Sequence, residues 1–274
     1  MNERLFKYTG VAYATLIGLV SLAPFLWVLM LSLKTNAEII NSPLGLPTTL
    51  DFSGYVNALR IAPLGQYLFN SVLIAGLSTA VNVLVASMAA YATTRFSFRG
   101  RQVVDLAMSI SLLLPVTALI MPIYSIVRGL GLYDSKLALI LVYTALDLPM
   151  SYFILKGFYM TIPKELEEAA FIDGAGFLQC FTRVIAPITR PGMITAGILH
   201  FIFCWNEFLY ALTLTTSHSS RTVPLALNYF TSQFAFDYTA LFAAVVIVVA
   251  PSILIFVVFQ EKIIEGLTAG SVKG

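Results

Sequence analysis

Six stretches of this sequence run for about twenty residues or more with almost no charged side chain, and they constrain the fold more than any other feature. The hydrocarbon core of a bilayer is about 30 Å thick, which roughly 20 apolar residues of helix can cross. Because a helix satisfies its own backbone hydrogen bonds in lipid, each stretch predicts one transmembrane helix. The predicted spans are residues 8–33, 68–94, 106–127, 137–155, 191–216 and 238–260.

The composition agrees with a membrane protein and excludes other classes. Of 274 residues, 58% are hydrophobic and 11% are charged, and the mean hydropathy is +0.86. A soluble domain is about 25% charged, so a water-soluble enzyme is excluded. A net charge of +2 is too small for the basic face of a nucleic-acid-binding protein. Two cysteines, Cys180 and Cys204, supply neither a disulfide framework nor a thiolate metal cage.

The positive charges predict the orientation of the chain. The apolar part of the first span exceeds the about 7–15 residues of a signal peptide core, so we expect a retained helix. With the N-terminus in the cytoplasm, eleven of the sixteen basic residues fall on the cytoplasmic side and five on the outer side. The inner ones are Arg4, Lys7, Arg95, Arg99, Arg101, Lys156, Lys164, Arg183, Arg190, Lys262 and Lys273. Both termini are therefore predicted to be cytoplasmic.

The cytoplasmic loop over residues 157–190 concentrates charge in a chain that otherwise has little. Pro163 suits the first position of a helix, because its missing N–H costs nothing there. The glutamates that follow favour the positive end of the helix dipole. Gly174 and Gly176 are suited to end this helix of about ten residues. We expect a sharp turn and then a second helix over residues 177–188.

This loop resembles the EAA loop of the membrane-spanning permeases of binding-protein-dependent ABC transporters. The residues that match the family pattern are Glu168, Ala169, Ala170, Asp173, Gly174, Ala175 and Pro187. Val184 and Ala186 stand where the family prefers Ile and Leu, which are mild departures.

Other segments extend the resemblance from near residue 10 to the end of the chain. Within the family, these segments most resemble carbohydrate permeases of the maltose type. The segments are Asn70-Ser71 at the start of the second span, Trp205-Asn206-Glu207-Phe208 in the fifth, and the tail over residues 266–274. The resemblance implies an all-α polytopic membrane protein, residues 1–274 forming one permease domain. It would have six transmembrane helices, both termini in the cytoplasm, and a coupling helix between the fourth and fifth spans.

The resemblance also implies a function and partners. The chain would be the permease subunit of an ABC importer in the cytoplasmic membrane of a bacterial-type cell, translocating a carbohydrate by alternating access. The implied partners are a second homologous permease, two ATPase subunits, an extracytoplasmic sugar-binding protein and membrane lipid, with no nucleic acid. ATP and Mg would be bound by the ATPases, so this chain would carry no cofactor.

The resemblance assigns two sets of residues to the contact with the ATPases. The seven motif residues would form the coupling helix, with Glu168 pairing with a basic group and Gly174 allowing close seating. Thr268, Gly270 and Lys273 of the tail would reach toward the interface between the two ATPases. The alternative reading of the loop is a solvated, charged hairpin without a docking role.

Polar residues inside the spans are candidates for the cargo path, because an ionisable group in a membrane usually faces a bundle interior or a cavity. Asp147 either lines the path or bonds the backbone that Pro149 frees by kinking the fourth span. Asn206 and Glu207 either bind sugar hydroxyls or tie helices together, with the structural role favoured. Tyr152 is an aromatic candidate for stacking on a sugar ring, although such residues more often pack in the bundle.

Other polar residues and prolines in the spans have structural readings. Asn82 and His200 are interpreted as hydrogen-bonding groups between helices. Pro115 and Pro122 predict a bend in the third span.

The sequence lacks the motifs of several other activities. It has no G-x-x-x-x-G-K-[ST] phosphate loop, so we expect no ATPase site in this chain. It has no H-E-x-x-H motif, and no nucleophile–base pair indicates an enzyme. The alternatives that remain are a secondary transporter driven by ions without ATPase subunits, and a membrane scaffold that transports nothing.

Overall fold

The computed structural model describes residues 2–230 and 237–269. All regular secondary structure within these ranges is helical, which confirms the predicted all-α class. The chain divides into two compact units, one of residues 1–65 with 226–251 and one of residues 66–225 with 252–274. The expectation of one permease domain over residues 1–274 stays a prediction.

The first unit contains α1 (Asn2–Leu31), α2 (Asn36–Asn41), α3 (Ser53–Ile61) and the first part of α14 (Tyr238–Ala269). A capping box fixes the start of α2, where the Thr35 hydroxyl accepts from the Glu38 N–H and the Glu38 carboxylate accepts from the Thr35 N–H. In α3, Gly54 packs directly on Thr239.

The second unit holds the remaining helices in chain order. They are α4 (Leu64–Arg95), α5 (Arg101–Leu113), α6 (Ile120–Gly129), α7 (Lys136–Leu146), α8 (Leu148–Thr161), α9 (Glu165–Ile172), α10 (Phe177–Cys180), α11 (Ala186–Ile188), α12 (Arg190–Asn206) and α13 (Leu209–Leu214). A short 3₁₀ helix covers Val116–Leu119 and a π-helical turn covers Phe181–Ile185. A second 3₁₀ helix, Val223–Phe230, begins in this unit and continues into the first. Helix α8 packs on α12 and α5, while α13 packs on α6 and α7.

Within the described residues, three helices are long and apolar enough to cross a membrane, over Tyr8–Leu31, Leu64–Arg95 and Tyr238–Ile264. Two bent helix pairs, α5 with the helices after it and α7 with α8, raise the number to five if each pair is one span. The predicted fifth span corresponds to α12, which has 17 residues. A helix of that length is about 26 Å long, slightly less than a bilayer core. The count of six spans therefore stays a prediction.

The third and fourth predicted spans are both broken. Residues 101–113 and 116–129 meet at 102°, which confirms the predicted bend, while the span over 106–127 stays a prediction. The break lies at Pro115, which lacks an N–H and holds Leu114 extended with ψ 125°. Helices α7 and α8 meet at 48° at Asp147, two residues before Pro149, which confirms the predicted kink.

Candidate functional site

The loop over residues 157–190, which is predicted to be cytoplasmic, begins with a helix whose start differs from the prediction. Helix α9 begins at Glu165 with Lys164 as its N-cap, so Pro163 does not occupy the first helical position. The reason is that Ile162 is extended, with ψ 126°, as expected for a residue before proline, and the turn is completed only after it. Glu165, Glu167 and Glu168 still fall in the first turn, where the helix dipole favours them.

The predicted glycine stop of this helix is confirmed at Gly174. Gly174 has φ +82°, a left-handed conformation that glycine adopts without strain. The Gly174 N–H donates to the Phe171 carbonyl at 3.1 Å, and the Ala175 N–H donates to the Ala170 carbonyl at 2.9 Å. This pair of bonds is a Schellman motif, which ends α9 and turns the chain sharply.

The second half of the loop is helical over residues 177–188, as predicted, but it contains a π-helical turn. Pro187 cannot donate a backbone hydrogen bond, and the Ala186 N–H reaches back five residues to the Phe181 carbonyl. The turn exposes Pro187 and buries Cys180 and Ile185.

A buried ion pair anchors the loop to the end of α4. The Glu167 carboxylate lies 2.5 Å from Nε of Arg95, and their side chains are 9% and 5% exposed. The same carboxylate accepts from the Tyr91 hydroxyl at 3.1 Å, and the Arg95 guanidinium donates to the Ile162 carbonyl at 2.8 Å. The ring of Tyr91 also contacts that of Phe181, with 5.0 Å between centroids. One cluster therefore holds α4 and both halves of the loop together.

The sequence reasoning missed Glu167 and Arg95. It assigned the important charge to Glu168, whose side chain is exposed. The available signal was a basic residue just after the C-terminal end of the second predicted span, together with three glutamates in the first turn of the loop helix.

The motif residues mostly line the outward side of the loop. Glu168, Ala169, Asp173, Gly174 and Pro187 are exposed, whereas Ala170 and Ala175 are half-buried. Such a surface of small side chains with two carboxylates allows a basic partner to approach closely. Of the predicted tail residues, Thr268 lies in the last turn of α14, and Gly270 and Lys273 lie outside the described residues.

Asp147 and His200 form a buried polar cluster between α7–α8 and α12. Asp147 Oδ2 lies 2.9 Å from His200 Nδ1, and His200 is fully buried. On the other side of the ring, Nε2 lies 3.2 Å from Cys204 Sγ and 3.4 Å from Ser78 Oγ. Asp147 thus bonds a neighbouring helix at the point where its own helix is broken. Asn82 likewise bonds across helices, donating to the Thr144 carbonyl at 2.9 Å.

Glu207 stabilises the break between α12 and α13. Its carboxylate accepts from the backbone N–H groups of Tyr210 at 2.8 Å and Ala211 at 3.0 Å, in the first turn of α13. It also accepts from the buried Tyr143 hydroxyl at 2.7 Å. The neighbouring Asn206 is exposed, and its amide donates to the Ile202 carbonyl.

Tyr152 lies in a different cluster from the other three candidates for the cargo path. It is fully buried among α4 and α8 residues, and its hydroxyl bonds with Asp105 and with Thr93. A cavity of about 170 Å³ beside α6 and α7 is lined by aliphatic side chains and alanines, so it offers a sugar no side-chain hydrogen bond.

Asp134 links the loop before α7 to the loop after α13. Its carboxylate accepts from the N–H groups of Thr216 at 2.8 Å and Ser217 at 3.0 Å, and from the hydroxyls of Ser217 and Ser220. Burial alone would raise the pKa of Asp134, but these hydrogen bonds hold it well below the usual range. Asp134 has φ +57°, a conformation that aspartate tolerates better than most residues.

Comparison with known proteins finds relatives that are described as membrane components of transport systems. The family model described as "Binding-protein-dependent transport system inner membrane component" matches residues 82–267. The sulfoquinovosyl glycerol transport system permease protein SmoH of Agrobacterium fabrum is 39% identical, over 92% of this chain and 89% of that protein. The trehalose transport system permease protein SugB of Mycobacterium tuberculosis is 37% identical over all of both chains.

A third relative and a solved structure extend the comparison. The trehalose/maltose transport system permease protein MalG of Thermococcus litoralis is 35% identical, over 100% of this chain and 99% of that protein. A chain from a bacterial ABC transporter that imports the acidic polysaccharide alginate superposes with a TM-score of 0.82. It is 21% identical, over 95% of this chain and 97% of that one, so it shows a shared fold.

Proposed function

This chain belongs to the family of binding-protein-dependent transport system inner membrane components, and from that premise we propose how it works. It is the permease subunit of an ABC importer that moves a carbohydrate across the cytoplasmic membrane. The carbohydrate assignment rests on the relatives, whose names specify trehalose, maltose, diacetylchitobiose or sulfoquinovosyl glycerol. Alternating access driven by ATP hydrolysis in partner subunits supplies the transport step.

The geometry of the loop is the observation that carries this mechanism. Helix α9 presents Glu168 and Gly174 to the outside while Glu167, on its inner side, is bonded to Arg95 at the end of α4. A partner that moves α9 therefore pulls on a long membrane helix through a buried ion pair. The permease would have two conformations. ATP binding at the ATPases and cargo binding at the membrane path would each shift the equilibrium between them, and this shared equilibrium couples the two events.

Partner subunits complete the proposal. A second homologous permease would close the cargo path, two ATPases would bind the loop and the tail, and a sugar-binding protein would deliver cargo from outside. A solved neighbour with a TM-score of 0.67 comes from an alginate transporter in complex with an alginate-bound periplasmic protein, which supports this arrangement. ATP and Mg would be held by the ATPases. The proposal includes six spans, and the excess of basic residues on one side supports the orientation with both termini in the cytoplasm.

The cargo path is proposed to run beside the broken helices. Asp147 and Glu207 each lie at a helix break, and Asn206 is exposed next to Glu207. An exposed amide can donate to and accept from sugar hydroxyls. Tyr152, buried in the core of this chain, would reach cargo only after a change of conformation, so it is the weakest of the four candidates.

Substitution of Gly174 by aspartate tests the docking role. Gly174 and Gly100 both have positive φ, both are exposed, and a Cβ at either position would meet no atom within 4 Å. Gly174→Asp should leave membrane insertion intact, release the ATPases during purification and abolish sugar uptake in proteoliposomes. Gly100→Asp is the matched control, because it adds the same charge and backbone strain outside the loop.

The outcomes separate the proposal from its rivals. Full transport by Gly174→Asp would contradict docking through α9, and equal loss in Gly100→Asp would assign the effect to backbone strain. If the purified chain alone moved sugar along an ion gradient, it would be a secondary transporter. If no sugar raised ATP hydrolysis in the purified complex, the chain would be a scaffold.

A further inference from the structure

The segment from the end of α2 to the start of α3, residues 40–52, exposes large apolar side chains outside any predicted span. Leu44 and Leu46 are 82% and 83% exposed, higher than the other large hydrophobic residues of this segment. The complete set is Ile40, Leu44, Leu46, Leu50 and Phe52. Asp51 is the single ionisable residue of the segment. Exposing such an apolar surface to water is unfavourable, so we expect the surface to contact an apolar environment.

The segment is tied to the end of α1 at three points. The Trp27 indole N–H donates to the Pro43 carbonyl at 3.1 Å, and the Lys34 ammonium donates to the Ser42 carbonyl at 2.7 Å. Near the other end of the segment, the Asp51 N–H donates to the Leu33 carbonyl at 2.9 Å. Both ends of the segment are thereby held beside residues 27–34 of the chain.

Residues 27–34 mark the place where α1 leaves the membrane. The apolar part of α1 covers Tyr8–Leu31, and its side chains are almost all exposed in this chain. Tryptophan is enriched where helices cross the boundary between hydrocarbon and water, and Trp27 lies one turn before the helix ends. The exposed leucines therefore lie beside an apolar helix surface at the level of this boundary.

Hydrogen bonds engage several polar groups in and beside the segment. The Glu38 carboxylate accepts from the N–H and the hydroxyl of Thr48, and the Asp51 carboxylate accepts from the N–H and the hydroxyl of Ser53. Hydrogen bonds from Thr48 lower the pKa of Glu38, and bonds from Thr35 add to the effect. The segment thus exposes large apolar side chains while the carboxylates beside them are hydrogen-bonded, a combination that suits the interface of a membrane.

We propose that residues 40–52 form an interfacial anchor that inserts its apolar side chains into the lipid leaflet at the C-terminal end of α1. The occupant of this surface is lipid, because the surface continues that of α1 and carries one charge, which is already hydrogen-bonded. The proposal requires only that α1 spans the membrane. Under the proposed orientation, the leaflet is the outer one.

Fluorescence quenching in nanodiscs tests this anchor on the purified complex. A Leu46→Cys variant carries an environment-sensitive fluorophore, and quenching is measured with spin-labelled lipids and with aqueous iodide. Arg60→Cys, at an exposed charged position in the last turn of α3, is the water-facing control. The parent chain gives the labelling background, because its cysteines Cys180 and Cys204 are buried.

The anchor predicts opposite responses at the two positions. The label at residue 46 should be quenched by spin-labelled lipid, and its iodide quenching should be about threefold lower than that of the control. Leu44→Cys should behave in the same way. Iodide quenching equal to that at residue 60 would overturn the proposal by placing the segment in water. Shielding from both quenchers would also overturn it, because a protein partner would then cover the surface. Sugar uptake is not the readout, so failure here leaves the proposed function standing.

Discussion

Glu167→Gln is the perturbation that most directly tests the link between the loop over residues 157–190 and the long helix α4. Glutamine keeps the shape of the side chain and one carbonyl oxygen, but it removes the charge that faces Arg95. The guanidinium of Arg95 is 5% exposed and would remain buried without its counter-ion. The hydrogen bond from Arg95 to the Ile162 carbonyl remains, so the substitution isolates the charge pair.

The expected cost follows from the burial of the pair. Breaking a buried ion pair by removing one partner costs about 3–5 kcal/mol, and the surviving hydrogen bonds favour the lower end. Because α9 is short and its outer side is exposed, the cost should appear as local release of the loop rather than as global unfolding. A change of about 3 kcal/mol raises the population of the released loop by roughly a hundredfold.

Hydrogen exchange and uncoupled ATP hydrolysis measure this release. Amide exchange in residues 165–175 should accelerate by about two orders of magnitude in Glu167→Gln. In the assembled complex, ATP hydrolysis should persist while sugar uptake falls, because the loop moves without pulling on α4. Glu165→Gln is the matched control, since it removes the same charge from the same helical turn at an exposed position.

Two results would refute the reasoning. If Glu167→Gln and Glu165→Gln showed the same exchange rates, the ion pair would not hold the loop. If transport and hydrolysis fell together in proportion, the loop would be a docking surface without a mechanical link to α4. The double variant Arg95→Met with Glu167→Leu provides a further check, because replacing both partners with apolar groups should restore much of the lost stability.

Two further predictions concern stability. Asp134→Asn should cost about 1 kcal/mol at neutral pH by weakening the hydrogen bonds to the carboxylate. Because the folded pKa of Asp134 is depressed, this contribution is present above the unfolded pKa of about 3.9 and is lost as the pH falls through the folded value. The gap between the melting temperatures of the two proteins should therefore begin to narrow below pH of about 4 and close only as the pH falls through the lower folded pKa, and a gap independent of pH would contradict the assignment. Gly54→Ala should cost about 1–3 kcal/mol, because its Cβ would lie 2.5 Å from Thr239 Cγ2 and 2.7 Å from the Thr239 carbonyl oxygen. Gly65→Ala, whose Cβ position is open, should melt like the parent.

The sequence predicted the loop well where local chemistry decides the structure. Gly174 ends α9 because a left-handed residue is required there, and glycine is the residue that adopts it most readily. Pro149 kinks the fourth span because it lacks a backbone donor. Both outcomes depend on a single residue and its immediate neighbours, so they can be read from the order of residues alone.

The sequence could not show which of three neighbouring glutamates points inward. Glu165, Glu167 and Glu168 have the same charge and the same preference for a helix start, and only the rotation of α9 against α4 decides among them. That rotation depends on Arg95, which is 72 residues before Glu167 in the chain. The pairing of Asp147 with His200 is equally non-local, since 53 residues separate them.

Tyr210 and Glu207 bond backbone groups at helix breaks, which bears on the choice of residues to test for sugar contacts. A broken helix in a membrane leaves backbone groups that other atoms must satisfy. The Tyr210 hydroxyl donates to the Val116 carbonyl at the break in the third predicted span, and Glu207 accepts from the first turn of α13. Both oxygens of Glu207 are therefore engaged in holding the backbone. Its neighbour Asn206 is exposed, so Asn206 is the better first target for substitutions that change sugar preference.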